Sequence, residues 1–181
     1  MNVLGIIPAR YASTRFPGKP LVDINGKTMI QRVYEQASKV LKYVCVATDD
    51  ERIFEAVKHF GGDVVMTSKN HQSGTDRCAE AVKLFEKKLN ISTDVVINIQ
   101  GDEPFIDPMQ IQQLVALFKN EDTYIATLIK KITDKSLLFN PNVVKVVTRA
   151  NDDALYFSRS CIPFVRGFST DEWTNHSDFY Q

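Results

Sequence analysis

"VLGIIPARYASTRFPGKPLVDINGKTMIQRVYEQASKVLKYVCVAT", residues 3–48, decides the fold class. Val3 to Ala9 is a near-continuous apolar run, the pattern of a strand covered on both faces. From Thr28, the residues Met29, Ile30, Val33, Tyr34, Ala37, Val40 and Leu41 recur at helical spacing, which predicts an amphipathic helix. Tyr43 to Ala47 is again a short apolar strand. Strand, helix and strand in succession predict an α/β sheet whose early strands run parallel.

The same alternation continues downstream. Asp49 or Asp50 can cap a helix carrying Ile53, Phe54, Val57 and Phe60, which Gly61-Gly62 ends. Asp63 to Met66 reads as a strand, followed by a polar loop from Thr67 to Gly74 and a helix through Ala79, Val82, Phe85 and Leu89. Val95 to Gln100 reads as a buried strand, and Asp107-Pro108 as a helix start with Asp as cap and Pro in the first turn. Strands are expected at Tyr124 to Ile132, Val143 to Thr148 and Leu155 to Ser158. The expectation is one domain over residues 1–181, built on a mixed, mostly parallel sheet flanked by helices.

Composition narrows the function classes. The 181 residues are 44% hydrophobic, enough for a substantial core, and 22 basic residues balance 22 acidic ones. No global field therefore favours nucleic acid or an anionic membrane. The opening apolar run is too short to cross a membrane and has no basic leader, so a cytoplasmic protein without membrane insertion is expected. Cys45, Cys78 and Cys161 lack CxxC spacing and read as buried structural thiols. His59, His71 and His176 form no metal-ligand pattern with them.

In an open α/β sheet, ligands occupy the crevice beyond the carboxyl ends of the strands. The loop after the first strand carries Arg10, Arg15 and Lys19. It is no Walker A loop, because Pro20 follows Gly18-Lys19, and no GxGxxG fingerprint either. Forked guanidinium donors with a compact ammonium suit a triphosphate, although a solvated loop with surface ion pairs has the same composition. Ser73-Gly74-Thr75-Asp76-Arg77 offers Gly74 for close approach of a flat base and Arg77 for a polar or anionic group; a plain helix cap reads the same way. Gln100-Gly101-Asp102-Glu103-Pro104 ends a buried strand, where Asp102 could bind Mg²⁺ together with substrate phosphates and Glu103 reads as structural. Arg159, at the end of the last strand, could hold an acidic substrate or be a surface residue.

Taken in order, IPARYASTRFPGKPL, VATDDERI, SGTDRCAEA, NIQGDEPFIDP, NPNVVKVV and ALYFSRSCIPF resemble the 3-deoxy-manno-octulosonate (Kdo) cytidylyltransferases, or CMP-Kdo synthetases, from Asn2 to about Phe164. The resemblance implies a nucleotide-diphospho-sugar transferase type of fold. It implies a reaction of CTP with Kdo giving CMP-Kdo and pyrophosphate, for lipopolysaccharide biosynthesis. It assigns Arg10 and Lys19 to the triphosphate with Arg15 beside them, Gly74, Thr75 and Arg77 to the cytidine pocket, and Gln100 to the nucleoside. Asp102 would ligate Mg²⁺ and Arg159 would face the sugar acid. A homodimer is implied, with Cys161-Ile162-Pro163-Phe164-Val165 as either interface or core.

The family continues beyond the point where this sequence stops, into a sugar-site His and a further metal-binding Asp. The 181 residues are therefore expected to be C-terminally incomplete relative to it, with most of the nucleotide site and little turnover alone. A CMP-sialate synthetase, a nucleotide-sugar glycosyltransferase and a nonenzymatic nucleotide-binding protein stay open as alternatives. Against the glycosyltransferase stands the lack of an Asp-x-Asp motif.

Overall fold

The apolar run that opens the chain forms β1, Val3–Ala9, in a computed structural model that describes residues 1–12 and 16–181. Successive side chains of β1 serve opposite faces, as strand geometry requires. Leu4 and Ile6 join a cluster with Cys45, Cys78, Ala81 and Phe85 on one face. Ile7 and Ala9 join Ile30, Val33, Ile53, Val57 and Ile111 on the other. Every residue named in these two clusters is at least nine-tenths buried, and each fully buried Leu, Ile or Phe side chain contributes about 1.5–3 kcal/mol.

One domain over residues 1–181 is the expectation from sequence; the structure divides the chain into two compact units, Met1–Ala126 and Thr127–Gln181. In the first unit β1 is followed by α1 (Met29–Ser38), β2 (Tyr43–Thr48), α2 (Glu51–His59), β3 (Val64–Met66), α3 (Gly74–Leu89), β4 (Val95–Asn98) and α4 (Pro108–Leu117). The four strands form a parallel sheet in the order β3-β2-β1-β4. Thr28, Asp50, Ser73 and Asp107 cap α1 to α4, each side chain accepting a first-turn backbone N–H, worth about 1 kcal/mol per cap. The choice between Asp49 and Asp50 is settled: Asp50 caps α2, so the Asp49 carboxylate is available elsewhere.

Strand order positions the site. The chain builds outward from β1 to β3, and α3 then crosses the other face of the sheet to bring β4 beside β1. Between β1 and β4 the connections leave in opposite directions, which opens a crevice at their carboxyl ends. Gly101, three residues past β4, follows that crevice closely: a Cβ there would lie 3.0 Å from the carbonyl oxygen of Pro8.

The second unit contains α5 (Lys135–Leu138), β5 (Lys145–Thr148), β6 (Ala154–Ser158) and α6 (Trp173–His176). Strands β5 and β6 pair antiparallel, and Ile132, Leu138, Trp173 and Phe179 form a separate core. The strand expected over Tyr124 to Ile132 is not formed. Tyr124 and Ile125 are 85% and 93% exposed, and only the end of the segment pairs, Ile132 N–H donating to Phe179 O at 2.7 Å. An apolar alternation without a partner ladder or a covered face does not make a strand. Strand β5 starts later than expected, after a turn whose Asn140 and Val143 carbonyls accept from the buried Lys145 ammonium at 2.9 and 2.7 Å.

Candidate active site

The chain leaves β1 at Arg10 and is closed again by Gly18, whose N–H donates to Tyr11 O at 2.9 Å. Gly18 has a φ of 73°, a left-handed conformation that glycine adopts without strain. A Cβ there would also meet the Tyr11 ring at 3.1 Å. The Arg52 guanidinium stacks 3.2 Å from the centre of the same ring and pairs with Asp50 at 2.7 Å. The base of the loop is thus tied to α2. Lys19 then opens a single 3-10 turn, Lys19–Leu21, where no helix start is expected from sequence; at three residues it is too short to present a helix dipole.

Beside this loop, at the carboxyl ends of β1 and β4, lies a cavity of about 360 Å³. Pro8, Gly101 and Pro20 line it together with the polar residues Arg10, Lys19, Gln72, Arg77, Gln100 and Asp102. With Arg77 paired to Asp49, Arg10 and Lys19 still outnumber the single lining carboxylate, Asp102, so the cavity is cationic in a chain of zero net charge. Arg10 donates through Nη2 to the carbonyl oxygen of His71. Lys19 Nζ donates to Asp102 Oδ2 at 2.7 Å, with the two side chains 35% and 53% exposed. An exposed pair of this kind contributes about 0–1 kcal/mol, so both partners are readily drawn to a ligand.

Most of the residues singled out from sequence converge here. Arg10, Lys19, Gly74, Arg77, Gln100 and Asp102 all line the cavity. Thr75 does not: it is exposed, and with α3 beginning at Gly74, residues three apart share a helix face while neighbours do not. Arg159 belongs to the second unit, where its Nη1 donates to Pro141 O at 2.8 Å and its own carbonyl accepts from Lys145. Arg15 lies outside the described residues.

Gly74 leaves space that the fold itself does not need. A Cβ at this position would make only ordinary contact with Pro8, at 3.7 Å. Arg77, by contrast, is fully enclosed and paired, with Nη2 2.6 Å from Asp49 Oδ2.

Other partners were not visible in the sequence. His71, without a metal-ligand pattern, lies with Nε2 2.5 Å from Glu80 Oε2, and Ser68 N–H donates to the same carboxylate oxygen. The His71 and Ser68 donors hold the Glu80 carboxyl below the usual carboxylate range. This fixes the loop between β3 and α3, and with it the carbonyl that holds Arg10. Gln72, in that polar lead-in, is the remaining polar lining residue that went unnamed. The thiols of Cys45 and Cys78 are buried as expected, and burial pushes them up to about 12 and about 11. Cys161 is only half-buried.

Magnesium suits the donor set. Among the described residues no cluster of three or more His, Cys, Asp or Glu forms a cage. Mg²⁺ characteristically takes one or two carboxylates and completes its shell with waters and substrate phosphates. The half-exposed Asp102 is the one carboxylate of the cavity lining that could serve in that mode.

Comparison with known proteins finds similarity along nearly the whole chain. The family described as Cytidylyltransferase matches residues 4–180. The 3-deoxy-manno-octulosonate cytidylyltransferase of Parabacteroides distasonis is 58% identical over 100% of the chain, and that of Bacteroides thetaiotaomicron is 55% identical over 100% of it. In both cases the chain spans 72% of the relative's length. Among solved structures, a CMP:2-keto-3-deoxy-manno-octonic acid synthetase complexed with CTP superposes with a TM-score of 0.87 at 42% identity, over 99% of this chain and 70% of that one.

Proposed function

The chain belongs to the 3-deoxy-manno-octulosonate cytidylyltransferase family, and from that premise we propose how its own residues activate Kdo with CTP. The observation that carries the proposal is the cationic cavity at the carboxyl ends of β1 and β4, lined by Arg10, Lys19 and Asp102.

Arg10 and Lys19 hold the triphosphate. Its negative charge draws Lys19 from the exposed pair with Asp102, and the released carboxylate would hold Mg²⁺. Bound there, the metal supplies positive charge to the phosphate oxygens. The anomeric hydroxyl of Kdo attacks the α-phosphorus, forming the new P–O bond as the bond to the bridging α–β oxygen breaks. The electron pair leaves with pyrophosphate and the hydroxyl proton passes to water. Arg10 and Lys19 stabilise the charge that accumulates on the leaving group. Gly74, Arg77 and Gln100 border the nucleoside, and positioning rather than a dedicated base drives the step.

A homodimer is part of the same proposal, supported by apolar side chains left in the open on the second unit. Leu155, Tyr156 and Phe157 are 55%, 63% and 50% exposed, and Phe164, in the Cys161–Val165 run, is 75% exposed. Among the described residues no helix is long and apolar enough to cross a membrane. A cytoplasmic setting and a role in lipopolysaccharide synthesis belong to the proposal.

The product of the full reading frame is assayed for pyrophosphate release from CTP with either Kdo or N-acetylneuraminate as acceptor. Release that depends on Kdo and Mg²⁺ is expected. Release with N-acetylneuraminate instead, or CTP binding without release on either acceptor, would overturn the proposal.

A further inference from the structure

Arg77 differs from the other two cations of the cavity. Arg10 and Lys19 are partly exposed, whereas Arg77 is 0% exposed although it borders the cavity. Two chain segments fix its guanidinium. Nη2 lies 2.6 Å from Oδ2 of Asp49, the residue that follows β2. Nη1 donates to the hydroxyl of Thr67, the residue that follows β3. That hydroxyl has its own hydrogen committed to Thr48 O at 3.0 Å, and Thr67 N–H donates to the same carbonyl at 2.8 Å. Thr67 Oγ therefore offers Arg77 an acceptor of fixed direction. Among the described residues, Arg77 Nε is the only buried side-chain nitrogen or oxygen left without a hydrogen-bond partner.

A buried donor without a partner is costly in a folded protein and calls for an explanation. Arg77 is also a poor countercharge for a triphosphate, because Asp49 already neutralises it at 2.6 Å. It is suited instead to serve as a rigid, locally neutralised donor toward an uncharged acceptor. In a nucleotide, such acceptors lie on the base, and cytosine carries the O2 carbonyl and the N3 lone pair. Gly74 shares the face of α3 with Arg77 and leaves that side of the cavity open.

We infer that Asp49, with Thr67, is a positioning residue for nucleotide recognition: the two groups engage both Nη atoms of Arg77 and fix its guanidinium in the orientation in which its remaining N–H donors serve the pyrimidine base. The inference rests on the assignment of CTP to this cavity and adds the reason why Arg77 reads the base while Arg10 and Lys19 read the phosphates. Losing Asp49 changes recognition of the base and spares the phosphate grip.

The test compares two probes, CTP and inorganic tripolyphosphate, titrated calorimetrically into wild type, Asp49→Asn and Thr67→Val. The Thr67→Val variant keeps the side-chain shape and the Asp49 pair, so it guards against misfolding of Asp49→Asn. Each variant should weaken CTP binding by about tenfold or more, the effect of one lost directional contact. Tripolyphosphate affinity should stay within about twofold, because its cations are untouched. Parallel losses for both probes in a folded variant, or no loss for either, would overturn the positioning role and leave the CTP assignment intact. Failure of wild type to bind CTP would overturn the assignment itself.

Discussion

Replacing Lys19 with alanine separates the phosphate grip from the fold. In the free protein Lys19 Nζ lies 2.7 Å from Asp102 Oδ2, with the side chains 35% and 53% exposed. That pair contributes about 0–1 kcal/mol, so its loss should lower the melting temperature by no more than about 2–4 °C. With CTP bound, the ammonium makes charge-assisted hydrogen bonds to phosphate worth about 1.5–3 kcal/mol. Binding first breaks the pair with Asp102, so the net loss in Lys19→Ala is about 1–2 kcal/mol, or about five- to thirtyfold in affinity. Calorimetric titration with CTP reads this directly, and cytidine, which has no phosphates, serves as the control and should bind unchanged. An unchanged CTP dissociation constant in a folded Lys19→Ala protein would refute the phosphate assignment. An equal loss for cytidine would move Lys19 to the nucleoside end.

The two glycines of the cavity should respond in opposite ways. Gly101→Ala places a Cβ 3.0 Å from Pro8 O, a backbone atom with little freedom to move, and should destabilise the chain by about 1–3 kcal/mol in urea unfolding; an unchanged midpoint would contradict the close approach. Gly74→Ala meets nothing nearer than 3.7 Å, so stability should change by less than about 1 kcal/mol while CTP affinity falls. Equal affinity would show that the ligand does not approach Gly74. Glu80, held below its ordinary value of 4.5 chiefly by the His71 hydrogen bond, adds stability that is complete above the unfolded value and is lost as pH falls through the folded one. Glu80→Gln should therefore flatten the acid side of the stability profile below about pH 4.5, and an unaltered acid slope would contradict the pairing. Thiol labelling of the native chain at pH 8 should modify half-buried Cys161 before Cys78 and Cys45, whose buried thiols are pushed up to about 11 and about 12; early modification of Cys45 would contradict its burial.

The parallel sheet was legible because its signals are local. Leu4, Ile6 and Ile7 on β1, the α1 stripe and the Asp107-Pro108 start each follow from a period or a cap within a few residues. The loops that line the cavity were legible from the rule that ligands gather at the carboxyl ends of strands, together with the placement of Arg10, Lys19, Gly74, Gln100 and Asp102 after those ends. What stayed hidden depends on distant pairing. Asp49 and Arg77 are separated by 28 residues, His71 and Arg10 by 61, and Lys19 and Asp102 by 83. Thr75 was grouped with Gly74 by the resemblance, whereas the start of α3 at Gly74, which sets the face each of the two presents, is seen only in the structure. The strand expected at Tyr124 to Ile132 shows the converse limit: alternation identifies a surface able to pair, and the partner decides whether it does.

The most direct measurement is a structure of this chain with CTP bound. The account predicts the triphosphate in the cavity at the ends of β1 and β4, within hydrogen-bonding distance of Arg10 and Lys19, with Lys19 withdrawn from Asp102 and the base beside Arg77. CTP seated elsewhere, or seated in the cavity with its phosphates away from Arg10 and Lys19, would contradict it.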